Sequence, residues 1–157
     1  MKRKNFNDLV AELAPHVQEI FPWDALDEMA SDPDIVLLDV RCPVEFQNMH
    51  IENSINVPRG VLETASDWGY EQTLPELVEA RAKRVLVICR SGKRSVLAAY
   101  TLQLLGYENV VSLKTGLRGW NDSEQDLVNP AGKTVSFEEG DAYFLEKVRP
   151  EQLGPRP

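Results

Sequence analysis

The densest chemistry in this 157-residue chain lies in seven consecutive residues, Cys89-Arg90-Ser91-Gly92-Lys93-Arg94-Ser95. They join one nucleophile to three cations, in a chain whose 17 Lys and Arg are outnumbered by 25 Asp and Glu for a net charge of −8. The stretch follows the apolar run Val85-Leu86-Val87-Ile88. It precedes the helical pattern of Val96, Leu97, Ala99, Tyr100, Leu104 and Leu105. A thiol so placed stands at the carboxyl end of a buried strand, where α/β sheets bind ligands. The residues after it open a helix, whose first N–H groups lack intrahelical partners and can point at an anion. Gly92 lets the backbone curl into such a nest. With Arg90, Lys93 and Arg94, these groups favour a Cys89 thiolate over the thiol, and a small dianion docking beside it. The plainer alternative is a buried structural cysteine before a basic turn. The order strand, cysteine, basic glycine-bearing loop, helix weighs against it.

Other chemistries fit poorly. Cys42 is the second of only two cysteines, so no disulfide framework is expected. Without C-x-x-C spacing a zinc site is not expected either, and nothing in the sequence calls for a metal or an organic cofactor. Two free thiols suit a reducing compartment, the cytoplasm. The negative balance weighs against nucleic-acid or anionic-membrane partners. The basic start Met1-Lys2-Arg3-Lys4 is followed by Asn5, Asn7, Asp8 and Glu12 rather than an apolar stretch, so no secretory signal is expected. Apolar runs stop at four to five residues, far short of the ~20 needed to span a bilayer.

The elements that must position Cys89 alternate. Ile35-Val36-Leu37-Leu38 and Val85-Leu86-Val87-Ile88 predict strands buried on both faces, as in a parallel sheet. Ser54-Ile55-Asn56-Val57 before Pro58, Val110-Val111, and Ile20-Phe21 predict weaker strands. Between them, Trp23, Leu26 and Met29 mark a helix closed by Ser31-Asp32-Pro33. Thr73-Leu74-Pro75-Glu76 predicts a capping box opening a helix through Leu77, Val78 and Ala80. Gly106 is the natural stop of the helix after the cysteine loop. Ser136-Phe137-Glu138-Glu139 predicts another capping box, with Phe144, Leu145 and Val148 following and the acidic cluster in the first turn. Strand and helix in alternation argue for an α/β fold with a parallel sheet.

At this length one domain is expected. Residues 1–19 hold an amphipathic helix (Phe6, Leu9, Val10, Leu13) disturbed by Pro15, and read as an N-terminal helical extension. Residues 122–157 read as a C-terminal extension packing on the domain, ending in the unstructured-looking Gly154-Pro155-Arg156-Pro157. The apolar positions of both extensions must be covered, on the domain itself or in a homodimer.

Three motifs carry a family resemblance. Leu38-Asp39-Val40-Arg41, Pro43, Glu45-Phe46, His50-Ile51 and Ser54 to Pro58 resemble the first signature of a rhodanese domain. Cys89 to Ser95 resembles its active-site loop, and Gly116 with Trp120 its closing motif. The resemblance covers about residues 20–121. Met49, Asn53 and Thr115 stand where the family usually has glycine. The resemblance implies a three-layer α/β sandwich, a small sheet of about five parallel strands between helices. It also implies thiosulfate sulfurtransfer without metal or organic cofactor. The Cys89 thiolate attacks the outer sulfur of thiosulfate, sulfite leaves, and a thiol, a sulfur-carrier protein or cyanide takes the sulfur. Arg90, Ser91, Gly92, Lys93, Arg94 and Ser95 are then the substrate-binding loop. Asp39 and Arg41 are expected to form a buried ion pair supporting the active-site side.

Two other functions share this chemistry. A persulfide carrier relaying sulfur to a partner protein needs the same cysteine. A cysteine phosphatase needs an arginine six positions after its nucleophile, and here Ser95 occupies that position. His50 reads as a turn-fixing hydrogen bonder rather than a base. Cys42 reads as a bystander, or as a thiol that resolves an oxidised Cys89. The loop of Arg59, Gly60, Trp68 and Tyr70 either rims the pocket or is solvated.

Overall fold

Five parallel strands form the central sheet in the order β1-β5-β4-β2-β3: β1 Gln18–Ile20, β2 Val36–Asp39, β3 Ile55–Asn56, β4 Arg84–Ile88 and β5 Asn109–Leu113. The computed structural model describes residues 1–155. Arg156 and Pro157, part of the tail expected to lack structure, lie outside the described residues.

β4 is central, pairing with β2 on one side and β5 on the other. Both its faces are covered, so its sequence is continuously apolar rather than alternating. Val85, Val87 and Cys89 face one core with α1 (Phe6–Leu13), α4 (Leu62–Ala65), α5 (Pro75–Val78) and α6 (Lys93–Leu104). Leu86 and Ile88 face the other, with α2 (Pro22–Ser31), α7 (Gly116–Asp122) and α8 (Phe137–Phe144). This is the expected layered α/β sandwich. Both end segments pack on it: Val17 and Phe144 are buried in the two cores.

Proline and local hydrogen bonds move several element ends. The first strand stops at Ile20 because Pro22 opens α2, leaving Phe21 as its N-cap. β3 pairs over only Ile55–Asn56, shorter than expected, with Pro58 close behind. The capping box expected at Thr73 does not form. The Thr73 hydroxyl instead donates to the Asp67 carbonyl at 2.6 Å and accepts from Tyr70 N–H at 3.0 Å, a local alternative open to any threonine. Helix α5 starts at Pro75 and ends at Val78, short of Ala80. The helix after the cysteine loop ends as expected: Gly106, at φ +88°, donates to the Gln103 carbonyl and Tyr107 to that of Leu102. Ser136 caps α8 by accepting from Glu139 N–H. That helix stops at Phe144, so Leu145 and Val148 lie beyond it and are exposed.

Two of the positions where glycine is usual, Asn53 and Thr115, have positive φ, +66° and +70°. Asparagine tolerates this region; a β-branched threonine is strained there. Thr115→Gly is therefore expected to raise stability by about 1 kcal/mol, strain relief less the extra chain entropy of glycine. Urea unfolding measures it. A lower midpoint at unchanged m-value would show that threonine packing outweighs the strain.

Candidate active site

Cys89 follows β4 directly and is fully buried. Its sulfur is the focus of the loop: Gly92 N–H donates to Sγ at 3.1 Å and Ser95 N–H at 3.3 Å. The Ser95 hydroxyl lies 3.3 Å from the sulfur, and the Ser112 hydroxyl of β5 lies 2.7 Å from Ser95 Oγ. A thiolate can only accept, so in that state Ser112 donates to Ser95 and Ser95 to Sγ. Three donors then face the charge inside a buried site, where preorganised dipoles count most. Ser112 was not singled out in the sequence. Its signal was a lone hydroxyl interrupting the apolar run Val110-Val111-Ser112-Leu113.

The loop keeps its N–H groups inward because its first carbonyls are engaged from behind. Leu117 N–H donates to Cys89 O at 2.9 Å, and Arg118 N–H to Arg90 O at 3.0 Å. This contact requires Gly116, since a Cβ there would lie 2.5 Å from the Arg90 carbonyl and 2.6 Å from Cys89 O. Gly92 has φ +89°, and a Cβ on it would lie 2.9 Å from Thr115 N. Both glycines therefore set the curvature of the nest.

The three cations diverge. Arg94 makes a two-pronged ion pair with Glu45 of α3 (Pro43–Asn48), at 2.8 and 2.9 Å. Arg90 Nη2 donates to the carbonyls of Phe144 and Leu145 at 2.8 and 3.1 Å. Lys93 turns toward the N-terminal helix, donating to Asn7 Oδ1 at 2.8 Å, 6.0 Å above the Phe6 ring. Ser91 is exposed on the loop. The geometry thus places backbone N–H groups and Ser95 on the sulfur, with the guanidinium groups of Arg90 and Arg94 tied to neighbouring elements.

The Arg94 guanidinium holds the Glu45 carboxyl below the ordinary carboxylate range, mainly through their hydrogen bonds and against the opposing effect of burial. The same pair raises Arg94. A depressed carboxyl contributes stability above its unfolded value, near 4.5, and loses it as pH falls through the folded value. Glu45→Gln should therefore cost about 0.5–1 kcal/mol at neutral pH, with the difference from wild type vanishing in acid. Urea midpoints from pH 7 to pH 3 test this; a constant difference would mean the pair is not the source.

Asp39 and Arg41 are both fully buried and paired at 2.8 Å. Arg41 also donates to the carbonyls of Met49 at 2.7 Å and Glu45 at 3.3 Å. Asn56 bonds the carbonyls of Asp39 and Arg41. The pair thus fixes the β2–α3 connection that presents Glu45 to Arg94. Cys42 is exposed at the N-cap of α3. His50 Nδ1 bonds the Phe46 carbonyl at 2.8 Å and its ring stacks on Phe46 at 3.9 Å, as a turn-fixing residue does.

A cavity of about 610 Å³ adjoins the loop, lined by Glu45, Arg90, Tyr143, Leu145, Lys147, Val148 and Gln152. Its outer wall is the C-terminal segment. The loop around Arg59, Trp68 and Tyr70 does not line it: Arg59 bonds Thr101 on α6, and Trp68 and Tyr70 are exposed. Among the described residues, no cluster of three or more His, Cys, Asp or Glu is placed to hold a metal ion. No described helix is long and apolar enough to cross a membrane.

The fold and site define an α/β protein with a buried thiol, accepting from two N–H groups, at the carboxyl edge of its parallel sheet. Among such proteins, this chain belongs to the rhodanese-like domain family, whose model matches residues 23–123. A Schizosaccharomyces pombe protein provisionally named a mitochondrial thiosulfate sulfurtransferase is 38% identical over 94 residues, 58% of this chain and 66% of that protein. A Bacillus subtilis protein provisionally named a sulfur carrier is 30% identical over 110 residues, 70% of this chain and 54% of that one. The matched regions thus span between about half and two thirds of these relatives. A Rhodopseudomonas palustris protein of unknown function, described as a possible tyrosine phosphatase, superposes with TM-score 0.71 at 27% identity, over 80% of this chain and 95% of that one.

Proposed function

We propose that the protein is a sulfurtransferase that moves a sulfane sulfur from thiosulfate, or a related donor, through a Cys89 persulfide. The observation that carries this reading is the convergence of Gly92 N–H, Ser95 N–H and Ser95 Oγ on one buried sulfur. The sulfur-transfer names of its relatives support it. In the first step the Cys89 thiolate forms a bond to the outer sulfur of thiosulfate. The S–S bond of thiosulfate breaks, and sulfite departs with its electron pair. The charge now sits on the outer persulfide sulfur, above the N–H groups of the loop. In the second step an acceptor thiolate attacks that sulfur, and Cys89 leaves as the thiolate. The acceptor is a thiol, on a small molecule or on a sulfur-carrier protein. Both free cysteines suit the reducing cytoplasm.

The phosphatase reading has a specific obstacle. Arg94, the last arginine of the loop, is held in two hydrogen bonds by Glu45 instead of reaching over the cradle. The discriminating experiment runs thiosulfate:cyanide sulfurtransfer beside p-nitrophenyl phosphate hydrolysis on one preparation. Sulfurtransfer with negligible phosphate release is expected. Cys89-dependent phosphate release without sulfurtransfer would overturn the assignment.

A further inference from the structure

A hydroxyl stands in β5 where the core calls for a hydrocarbon. A strand sends successive side chains to opposite faces of its sheet. Val110 packs in the core that holds Val87 and Cys89, and Val111 and Leu113 pack in the other. Ser112 takes the next place on the Cys89 side, opposite Val87 of β4 in the strand register. It is fully buried, and a buried hydroxyl is costly unless it is hydrogen-bonded. Among the described residues its Oγ has one hydrogen-bond partner, Ser95 Oγ at 2.7 Å. Ser95 Oγ in turn has one further partner, Cys89 Sγ at 3.3 Å.

Counting hydrogens gives this chain a direction. Two hydroxyls carry two hydrogens, and there are two bonds to make. Both hydrogens are used only when Ser112 donates to Ser95 and Ser95 donates to Sγ. The reverse order strands the Ser112 hydrogen in the interior. A protonated Sγ brings a third hydrogen to the same two bonds, and one is left over. A thiolate leaves none over, and a charged acceptor makes the stronger bond. In a persulfide the inner sulfur is uncharged, so the chain ends on it more weakly.

We propose that Ser112 is a positioning residue that acts through Ser95: from its fixed place on β5 it holds the Ser95 hydrogen on Sγ, and so favours Cys89 as a thiolate over Cys89 as a persulfide. The proposal rests on the sulfurtransferase reading above and deepens it, because it gives a residue outside the loop a part in handing the sulfur on. In that step the acceptor bonds to the outer sulfur and the persulfide S–S bond breaks. Sγ then takes the electron pair, facing the three donors already aimed at it.

The test uses the full chain carrying Cys42→Ser, so that Cys89 is the one thiol. Ser112→Ala removes the hydroxyl, and Ser112→Thr restores it. Ser66→Ala is the control, another fully buried serine whose hydroxyl goes instead to the Leu62 carbonyl. Mixtures of sulfite and thiosulfate set the loaded fraction, read by intact mass. The sulfite-to-thiosulfate ratio at half-loading is expected to rise about threefold or more in Ser112→Ala, the scale of one hydrogen bond acting through another. Ser112→Thr and Ser66→Ala are expected to stay within about twofold of the Cys42→Ser parent. The second readout needs no sulfur donor: the thiolate ultraviolet absorbance, assigned by its loss on alkylation with iodoacetamide, is followed as pH falls. It is expected to vanish at a pH higher by about 0.5 or more in Ser112→Ala, the same threefold, and to be restored in Ser112→Thr. Arg90, Arg94 and Glu45 are common to all the variants, so the difference reports the hydroxyl. An unchanged absorbance profile in Ser112→Ala overturns the proposal, as does a change shared by Ser112→Thr or Ser66→Ala. So does an unchanged half-loading ratio in a protein that loads. Failure of the parent to take sulfur from thiosulfate counts against the sulfurtransferase reading, and the absorbance profile then decides the role of Ser112 by itself.

Discussion

Cys89→Ser should fold normally and lose thiosulfate sulfurtransfer by at least about 10³-fold in kcat/KM, which is about 4 kcal/mol of transition-state stabilisation. A serine hydroxyl is not ionised near neutral pH and cannot carry the sulfur as a persulfide. The donors to the sulfur, Gly92 N–H and the Ser95 N–H and hydroxyl, with Ser112 behind Ser95, would remain in place around an unreactive group. Cys42→Ser supplies the contrast. Cys42 is exposed at a helix N-cap, and its loss should leave the rate within a few-fold of wild type. Turnover retained in folded Cys89→Ser would sink the assignment. A comparable loss in Cys42→Ser would make that thiol a participant.

The largest effect on stability is expected at Asp39. Its carboxylate is the ion-pair partner of a fully buried arginine. Asp39→Ala strands the Arg41 guanidinium in the interior and should cost about 3–5 kcal/mol, much of the roughly 5–15 kcal/mol that holds a domain of this size together. Asp39→Ala with Arg41→Met removes the stranded charge and should recover part of the loss. Urea unfolding of the single and double variants decides this. If the double variant is less stable than Asp39→Ala, the loss comes from Arg41 bonds to Met49 and Glu45 rather than from an unpaired charge.

The residues themselves explain how much was legible beforehand. β2 and β4 were plain because strands covered on both faces are continuously apolar, and Cys89 was plain because it stood between the strongest strand and the strongest helix. Asp39 with Arg41 could be read as a pair because the partners are two residues apart. The destinations of the loop cations could not. Arg94 reaches a partner 49 residues away, Arg90 one 54 away and Lys93 one 86 away, and no local pattern encodes such distances. Thr73 misled for the opposite reason: a capping residue and a loop-closing residue look alike until the turn at 67–73 is seen. Leu145 and Val148 read as the continuation of a helix, and the chain's exit after Phe144 instead places them with Arg90 on the lining of the cavity.

The sulfurtransferase reading turns on one step, bond formation between Cys89 and the outer sulfur of thiosulfate. Intact-mass measurement of wild type and Cys89→Ser after brief exposure to thiosulfate and removal of excess reagent tests that step alone, without any acceptor. A gain of one sulfur atom is expected in wild type, lost again on adding cyanide or a thiol, with no gain in Cys89→Ser. Unmodified wild type, or equal gain in both proteins, would contradict it.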